Sequence, residues 1–144
     1  MSQLFTGVNH NYTHFNETQM GEIFGQGIFN VKAYGAMGSG AGDDYGAIQN
    51  AIDAAKDAKG TIIIPQGTYP VTNTLDFTNI QCVRMLGMGS QGQVTGTKLV
   101  WNGSDGGTVL NVYGARDNIF ENFSIAPGTG IIGIGIVVNQ ATPN

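Results

Sequence analysis

The sequence predicts a mainly β fold in which short strands stack as successive coils of a solenoid behind a single N-terminal α-helix. Three observations carry this expectation. Only 11% of the 144 residues are charged and 23 are Gly, a bias toward stacked strands and tight turns. One amphipathic helical pattern stands near the front, and after Gly60 every apolar segment is short and bounded by Gly, Asn, Ser or Pro. The third is a parity defect. Phe120, Phe123 and Ile125 cannot all face one side of an unbroken strand, because side chains alternate and positions 120 and 123 differ in parity. A left-handed Asn122 resets the alternation, and Asn tolerates that conformation. A strand that bends at an Asn and continues inward turns a solenoid corner. The two-residue hairpin signals occur only around 102–107, fewer than a sandwich of hairpins requires.

Residues 1–28 read as a polar, aperiodic arm and a candidate attachment segment. His10 and His14 with Glu17 invite a metal reading only on a helix, and Asn11, Tyr12 and Thr13 between them are poor helix formers, so a solvated arm is expected. Residues 29–60 read as a capping unit. Phe29, Val31 and Ala33 alternate like a strand, and a Gly-rich stretch follows at 35–42. A helix over 45–58 places Ile48, Ala51, Ile52 and Ala55 on one face and Gln49, Asn50, Asp53, Lys56 and Asp57 on the other. Asp43 or Asp44 suits its N-cap and the positive end of its dipole, and Lys59-Gly60 its stop. Residues 61–144 then give strands at 61–64, 68–71, 75–77, 82–86, 98–101, 108–113, 119–125 and 131–138. At ~20–25 residues per turn they make about three or four coils. The apolar strand ending at Val138 has no amphipathic segment after it, so the solenoid is expected to be truncated at its C-terminal end.

Charge and composition exclude several classes. A hydrophobic content of 41% is too high for disorder. A net charge of -4 with six scattered Lys and Arg gives no basic patch for a phosphate backbone, so nucleic acid is not an expected partner. Apolar runs are too short to span a bilayer, and the first thirty residues hold no apolar core of a secretory signal. Cys82 has no partner in the chain, and its apolar neighbours predict an inert core thiol. The sequons at Asn11, Asn16, Asn102 and Asn122 read as products of a Ser/Thr/Asn-rich composition.

The run Val31-Lys32-Ala33-Tyr34-Gly35-Ala36, the glycines after it, and Asp43-Asp44-Tyr45-Gly46-Ala47-Ile48-Gln49-Asn50-Ala51-Ile52 resemble the N-terminal motif of the pectate-lyase-like superfamily. That group includes rhamnogalacturonase and epimerase-like β-helix proteins and many phage tailspikes. Ile62-Ile63-Ile64-Pro65-Gln66-Gly67-Thr68-Tyr69 resembles its first β-helix strand and turn, and Leu86-Gly87-Met88-Gly89 with Thr97-Lys98-Leu99 its next coil. Ala33 and Ser39 stand where the motif commonly has Asp, and Tyr45 where it commonly has Thr. The resemblance implies a right-handed parallel β-helix whose helix caps the N-terminal mouth, with Gly35, Asp43, Asp44, Ile48, Ile52 and Gly60 as capping residues. It specifies architecture more than chemistry, because lyases, hydrolases and non-catalytic tail proteins share it.

Chemistry has few candidates. Residues 87–92 fit G-x-G-x-x-G, but strand-like residues follow where a dinucleotide loop needs a helix, and residues 38–42 lack the Lys-Ser/Thr of a phosphate loop. No cofactor is expected. Asp43 and Asp44 could pair on calcium, yet their place at a helix start favours capping, and no metal site is predicted. Asp76, Asp105, Asp117 and Glu121 are the material for acid/base work, since carboxylates on nearby coils can reach the roughly 6.5–9.5 Å separation of an inverting hydrolase. Each reads more readily as a solvated turn residue, and in the resembled family the catalytic groups usually lie on later coils. Trp101 and Tyr113 could stack on sugar rings if they point outward, though burial is the simpler expectation.

The expected function is the N-terminal capping portion of a β-helix protein that degrades or binds polysaccharide, a tailspike-like or depolymerase-like component of a phage tail or baseplate. The 1–28 arm would attach it, and the tailspike resemblance implies a homotrimer. Whether the parent is a lyase, a hydrolase or neither stays open. A non-catalytic structural or carbohydrate-binding β-helix is one alternative. A fragment of a secreted bacterial pectate-lyase-like or polygalacturonase-like enzyme is another.

Overall fold

A computed structural model describes residues 27–89 and 96–139. Strand β1 (Ile28–Asn30) is followed by a 3-10 turn (Val31–Tyr34), helix α1 (Tyr45–Ala58) and nine further strands. These are β2 (Thr61–Ile64), β3 (Gly67–Val71), β4 (Leu75–Asp76), β5 (Arg84–Gly87), β6 (Thr97–Trp101), β7 (Gly107–Tyr113), β8 (Ile119–Glu121), β9 (Phe123–Pro127) and β10 (Ile132–Asn139).

The strands form three sheets, ordered β1-β2-β5-β8, β3-β6-β9 and β4-β7-β10, and every pairing is parallel. The chain visits the first, second and third sheets in turn, then returns to the first one strand further along. Three such passes give a β-helix-like arrangement whose successive layers stand about 4.8 Å apart. Inward side chains build a core shared by all three sheets. Ile62, Ile64 and Met85 come from the first, Tyr69, Val71 and Leu99 from the second, and Leu75, Leu110 and Val112 from the third.

Helix α1 has the bounds that its periodicity predicts. Ile48, Ala51, Ile52 and Ala55 are buried against β1, the 3-10 turn, β2, β3 and β4. The helix therefore covers the first strands of all three sheets and shields core that an uncovered end would expose. Each buried Ile on this face contributes about 1.5–3 kcal/mol.

The two acids predicted at the helix start divide the capping between them. Asp44 occupies the N-cap position but makes no side-chain cap bond to the helix. It is buried, and its carboxylate instead accepts from Met37 N (2.7 Å) and Gly38 N (3.0 Å), folding the Gly-rich turn back onto the helix start. Asp43 accepts from Tyr45 N (3.1 Å), Thr72 N (3.2 Å) and Thr72 Oγ1 (2.6 Å), which ties the turn to the loop after β3. Both carboxylates are thus spent on the chain's own donors and not held together for a cation. Gly35 adopts φ 103 and closes the 3-10 turn, as its role as a stop requires. At the helix end the left-handed residue is Lys59 (φ 54) and not Gly60. Gly60 is required for space, because a Cβ there would lie 2.7 Å from the Gly27 carbonyl oxygen and strike the Phe29 ring.

Two expectations are corrected and a third is met. The first strand stops at Asn30, where Lys32 N donates to the Asn30 Oδ1 (3.0 Å) and begins the 3-10 turn, so Val31 and Ala33 are not strand residues. Cys82 is exposed, not a core thiol. Its backbone is left-handed (φ 59) and the strand begins only at Arg84, so Val83 and Met85 fill the core while Cys82 stays outside with the exposed Arg84. The segment over 119–125 breaks at Asn122 as its parity predicts, with φ 60 between β8 and β9. Phe120 and Phe123 consequently both pack against the core, and Phe120 meets Phe77 edge-on with ring centres 4.9 Å apart.

Candidate functional site

The four carboxylates singled out in the sequence stand on different segments. Asp105 lies in the loop after β6 and accepts from Ile131 N (2.9 Å), holding that loop to the corresponding loop of the next pass. Asp117 is a left-handed turn residue (φ 58) ahead of β8. Glu121, outward on the first sheet, forms an ion pair with Arg84 of the neighbouring strand. Asp76 alone sits on an outward strand position of the third sheet.

Trp101 is removed from the sugar-stacking candidates. It shares the inward parity of Thr97 and Leu99 on β6, is only 3% exposed, and its Nε1 donates to the Ser104 carbonyl (3.0 Å). Gly103, Gly107 and Gly130 come so close to the indole that a Cβ on any of them would overlap it. Tyr113 is different: it ends β7 pointing outward and is 41% exposed.

Asp76 and Tyr113 share one surface, the outer face of the third sheet. Parallel pairing sets Asp76 beside Asn111, Asn111 beside Val137, and Tyr113 beside Asn139. Backbone bonds from Phe77 N to Asn111 O and from Asn79 N to Tyr113 O extend that register, so Thr78 stands next to Tyr113. The result is two adjacent rows, Asp76-Asn111-Val137 and Thr78-Tyr113-Asn139.

The first row is pre-organised. Asp76 Oδ1 accepts from Thr78 N (3.0 Å), Thr78 Oγ1 (2.5 Å) and Asn111 Nδ2 (3.2 Å). Asn111 Nδ2 also reaches Thr78 Oγ1 (3.3 Å). Helix α1 supports the row from the other side. Gln49 Oε1 accepts from Asp76 N (2.9 Å), and Gln49 Nε2 donates to Asp76 O (3.2 Å) and to Asp53 Oδ1 (3.1 Å). The side-chain amide thus pairs with β4 as a peptide of a neighbouring strand would, and it closes the edge at which the third sheet begins.

Gln49, Thr78 and Asn111 were not among the residues that the sequence pointed to. Asn111 had a legible signal, a polar residue between the apolar Leu110 and Val112 on an alternating strand. Gln49 had none, because its helix position reads only as solvent-facing. The glycine run at 87–92 lies only in part within the described residues. The next described element after β5 is strand β6, and Gly87 is packed against the Asn122 backbone; residues 90–95 lie outside the described part. The His10/His14 pair and most of the 1–28 arm also lie outside it. No described helix is long and apolar enough to cross a membrane.

Three parallel sheets threaded in turn, a helix over one end and a polar outer face with an aromatic edge place the chain among the pectate-lyase-like, polysaccharide-related β-helix proteins. Residues 28–142 match the family described as rhamnogalacturonase A/epimerase, pectate lyase-like, and the chain belongs to that family. It is 54% identical over 55 residues to mannuronan C5-epimerase AlgE3 of Azotobacter vinelandii, a stretch covering 38% of this chain and 3% of that protein. It is 39% identical over 100 residues to mannuronan C5-epimerase AlgE2 of the same organism, covering 64% of this chain and 10% of the relative. Among solved structures, ORF18 of Geobacillus virus E2 superposes with a TM-score of 0.51 at 25% identity, over 75% of this chain and 24% of the viral one. The chain therefore spans a small part of the length of each of these relatives.

Proposed function

We propose that this chain is the N-terminal capping portion of a right-handed parallel β-helix protein that contacts polysaccharide through the outer face of its third sheet. The observation that carries the reading is the pair of rows Asp76-Asn111-Val137 and Thr78-Tyr113-Asn139. Fixed acceptors beside an exposed aromatic ring are what a sugar needs, hydroxyls being hydrogen-bonded while a ring face packs on the Tyr. In this reading residues 1–28 attach the protein to a larger assembly, residues 29–60 cap the helix, and residues 61–144 supply its first coils. The likeness to the Geobacillus virus E2 protein supports a viral setting, in which the proposed role is a tailspike-like, homotrimeric tail component. The test is affinity electrophoresis of the purified chain through gels containing neutral and acidic polysaccharides. Retardation that falls about tenfold in Tyr113→Ala is expected. Retardation that survives both Tyr113→Ala and Asp76→Ala would place the glycan elsewhere.

A second reading has its own observation. The relatives named mannuronan C5-epimerases favour membership in a polysaccharide-modifying enzyme, to which this region contributes the cap and first coils. Turnover of a polyuronate by the 144-residue chain itself would put this reading first.

A further inference from the structure

We infer that the outer face of the third sheet selects uncharged polysaccharide and discriminates against polyuronates, an inference that rests on that face being the glycan surface. The hydrogen-bonding sense of the face is the first argument. Asp76 Oδ1 is filled by three donors, while Asp76 Oδ2 and Asn111 Oδ1 accept from no described residue. Asn111 Nδ2 is already engaged by Asp76 and Thr78. The first row therefore offers acceptors and seeks donors. A sugar hydroxyl donates; a uronate carboxylate only accepts.

Charge is the second argument, and it covers the whole chain. Its six basic residues are Lys32, Lys56, Lys59, Arg84, Lys98 and Arg116. None lies on β4, β7 or β10. Lys32 is in the 3-10 turn and Lys59 at the helix end. Arg84 pairs with Glu121 on the first sheet, and Lys98 lies on the second. Lys56 is two helical turns past Gln49, about 10 Å along the axis. Arg116 comes after the left-handed Gly114 (φ 63), in the segment bridged to Gln81 on the way back to the first sheet. The charges that do border the first row are Asp76 itself and Asp53, held beside it through Gln49. A polymer with a carboxylate on every sugar would bring like charge to these acids and find no Lys or Arg on the strands beneath it.

Isothermal titration of the full chain with a neutral galactomannan fragment and with polygalacturonate and polymannuronate fragments of matched length decides this. Each titration is run at low and high salt, with chelator and with calcium. The neutral glycan is expected to bind at least tenfold more tightly at low salt, with the gap narrowing as salt rises. Asp76→Asn should raise polyuronate affinity, and Asn111→Lys, a change at a strand position of the outer face, should reverse the preference while leaving the thermal melt in place. Polyuronate binding equal to or tighter than neutral, with or without calcium, and lost in Tyr113→Ala, overturns the selectivity and keeps the glycan surface. Binding to none of the fragments, or binding indifferent to Tyr113→Ala, removes the surface itself and the selectivity with it.

Discussion

Tyr69 shows how one side chain links the Gly-rich turn to the core. Its ring is fully buried, its hydroxyl donates to the Pro65 carbonyl (2.8 Å), and the Asp44 carboxylate lies near it. Burial, with Asp44 adding to it, pushes the phenol from 10.0 up to about 12. The folded state thus keeps a proton that the unfolded chain releases first. Stability from this residue is complete below pH 10 and is lost as the pH climbs toward 12. Urea midpoints measured from pH 9 to 12 should fall across that window, and the fall should be smaller in Tyr69→Phe. An identical decline in both proteins would mean that other groups drive alkaline unfolding. Asp44 itself illustrates how residue type can be legible while partner is not. An Asp before a helix reads as a cap, yet its two acceptors serve Met37 and Gly38, because the Gly-rich turn brings those N–H groups to it.

Among the elements, the β8–β9 corner is the sharpest case. A single left-handed Asn122 lets Phe120 and Phe123 both pack against the core. Asn122→Gly should leave stability within a few tenths of a kcal/mol, whereas Asn122→Val, a β-branched residue forced to positive φ, should cost about 1–2 kcal/mol. Equal midpoints for the two variants in urea would show that the corner relaxes without penalty. This corner was readable in advance because odd spacing of aromatics leaves only one way to keep them on one side. The Cys82 turn was not: Val83 and Met85 around it are buried, and nothing local marks a left-handed residue there. The Gln49–Asp76 pairing was equally hidden, since it joins residues 27 apart in the chain that meet only after α1 packs on β4.

Among the described residues, the stack of sheets is covered by a helix at one end and bears exposed aliphatic side chains at the other. Helix α1 covers the first strands, while Ile131 (66% exposed), Ile134, Ile136 and Val138 (69% exposed) lie bare on and beside β10. Contiguous bare aliphatics attract hydrophobic partners. The 144-residue chain should therefore bind a hydrophobic fluorescent dye, and Ile134→Lys combined with Ile136→Lys should remove most of that signal without lowering the melting temperature. A signal unchanged by the double substitution would place the dye elsewhere.

The sequence by itself determined the helix and its buried stripe, the run of short strands after Gly60, and the bend at Asn122. These rest on local rules: a 3.6-residue period, β-branched runs ended by turn residues, and side-chain parity. The tertiary structure decided which polar residues share a surface. Asp76 and Thr78 reach Asn111 and Tyr113 only through parallel register between passes about 35 residues apart, and Trp101 leaves the surface because glycines from two loops close around its ring. Local periodicity fixes which way a residue points within its own strand. What lies beside it is set by the length of chain between one pass and the next, and those lengths vary with every loop.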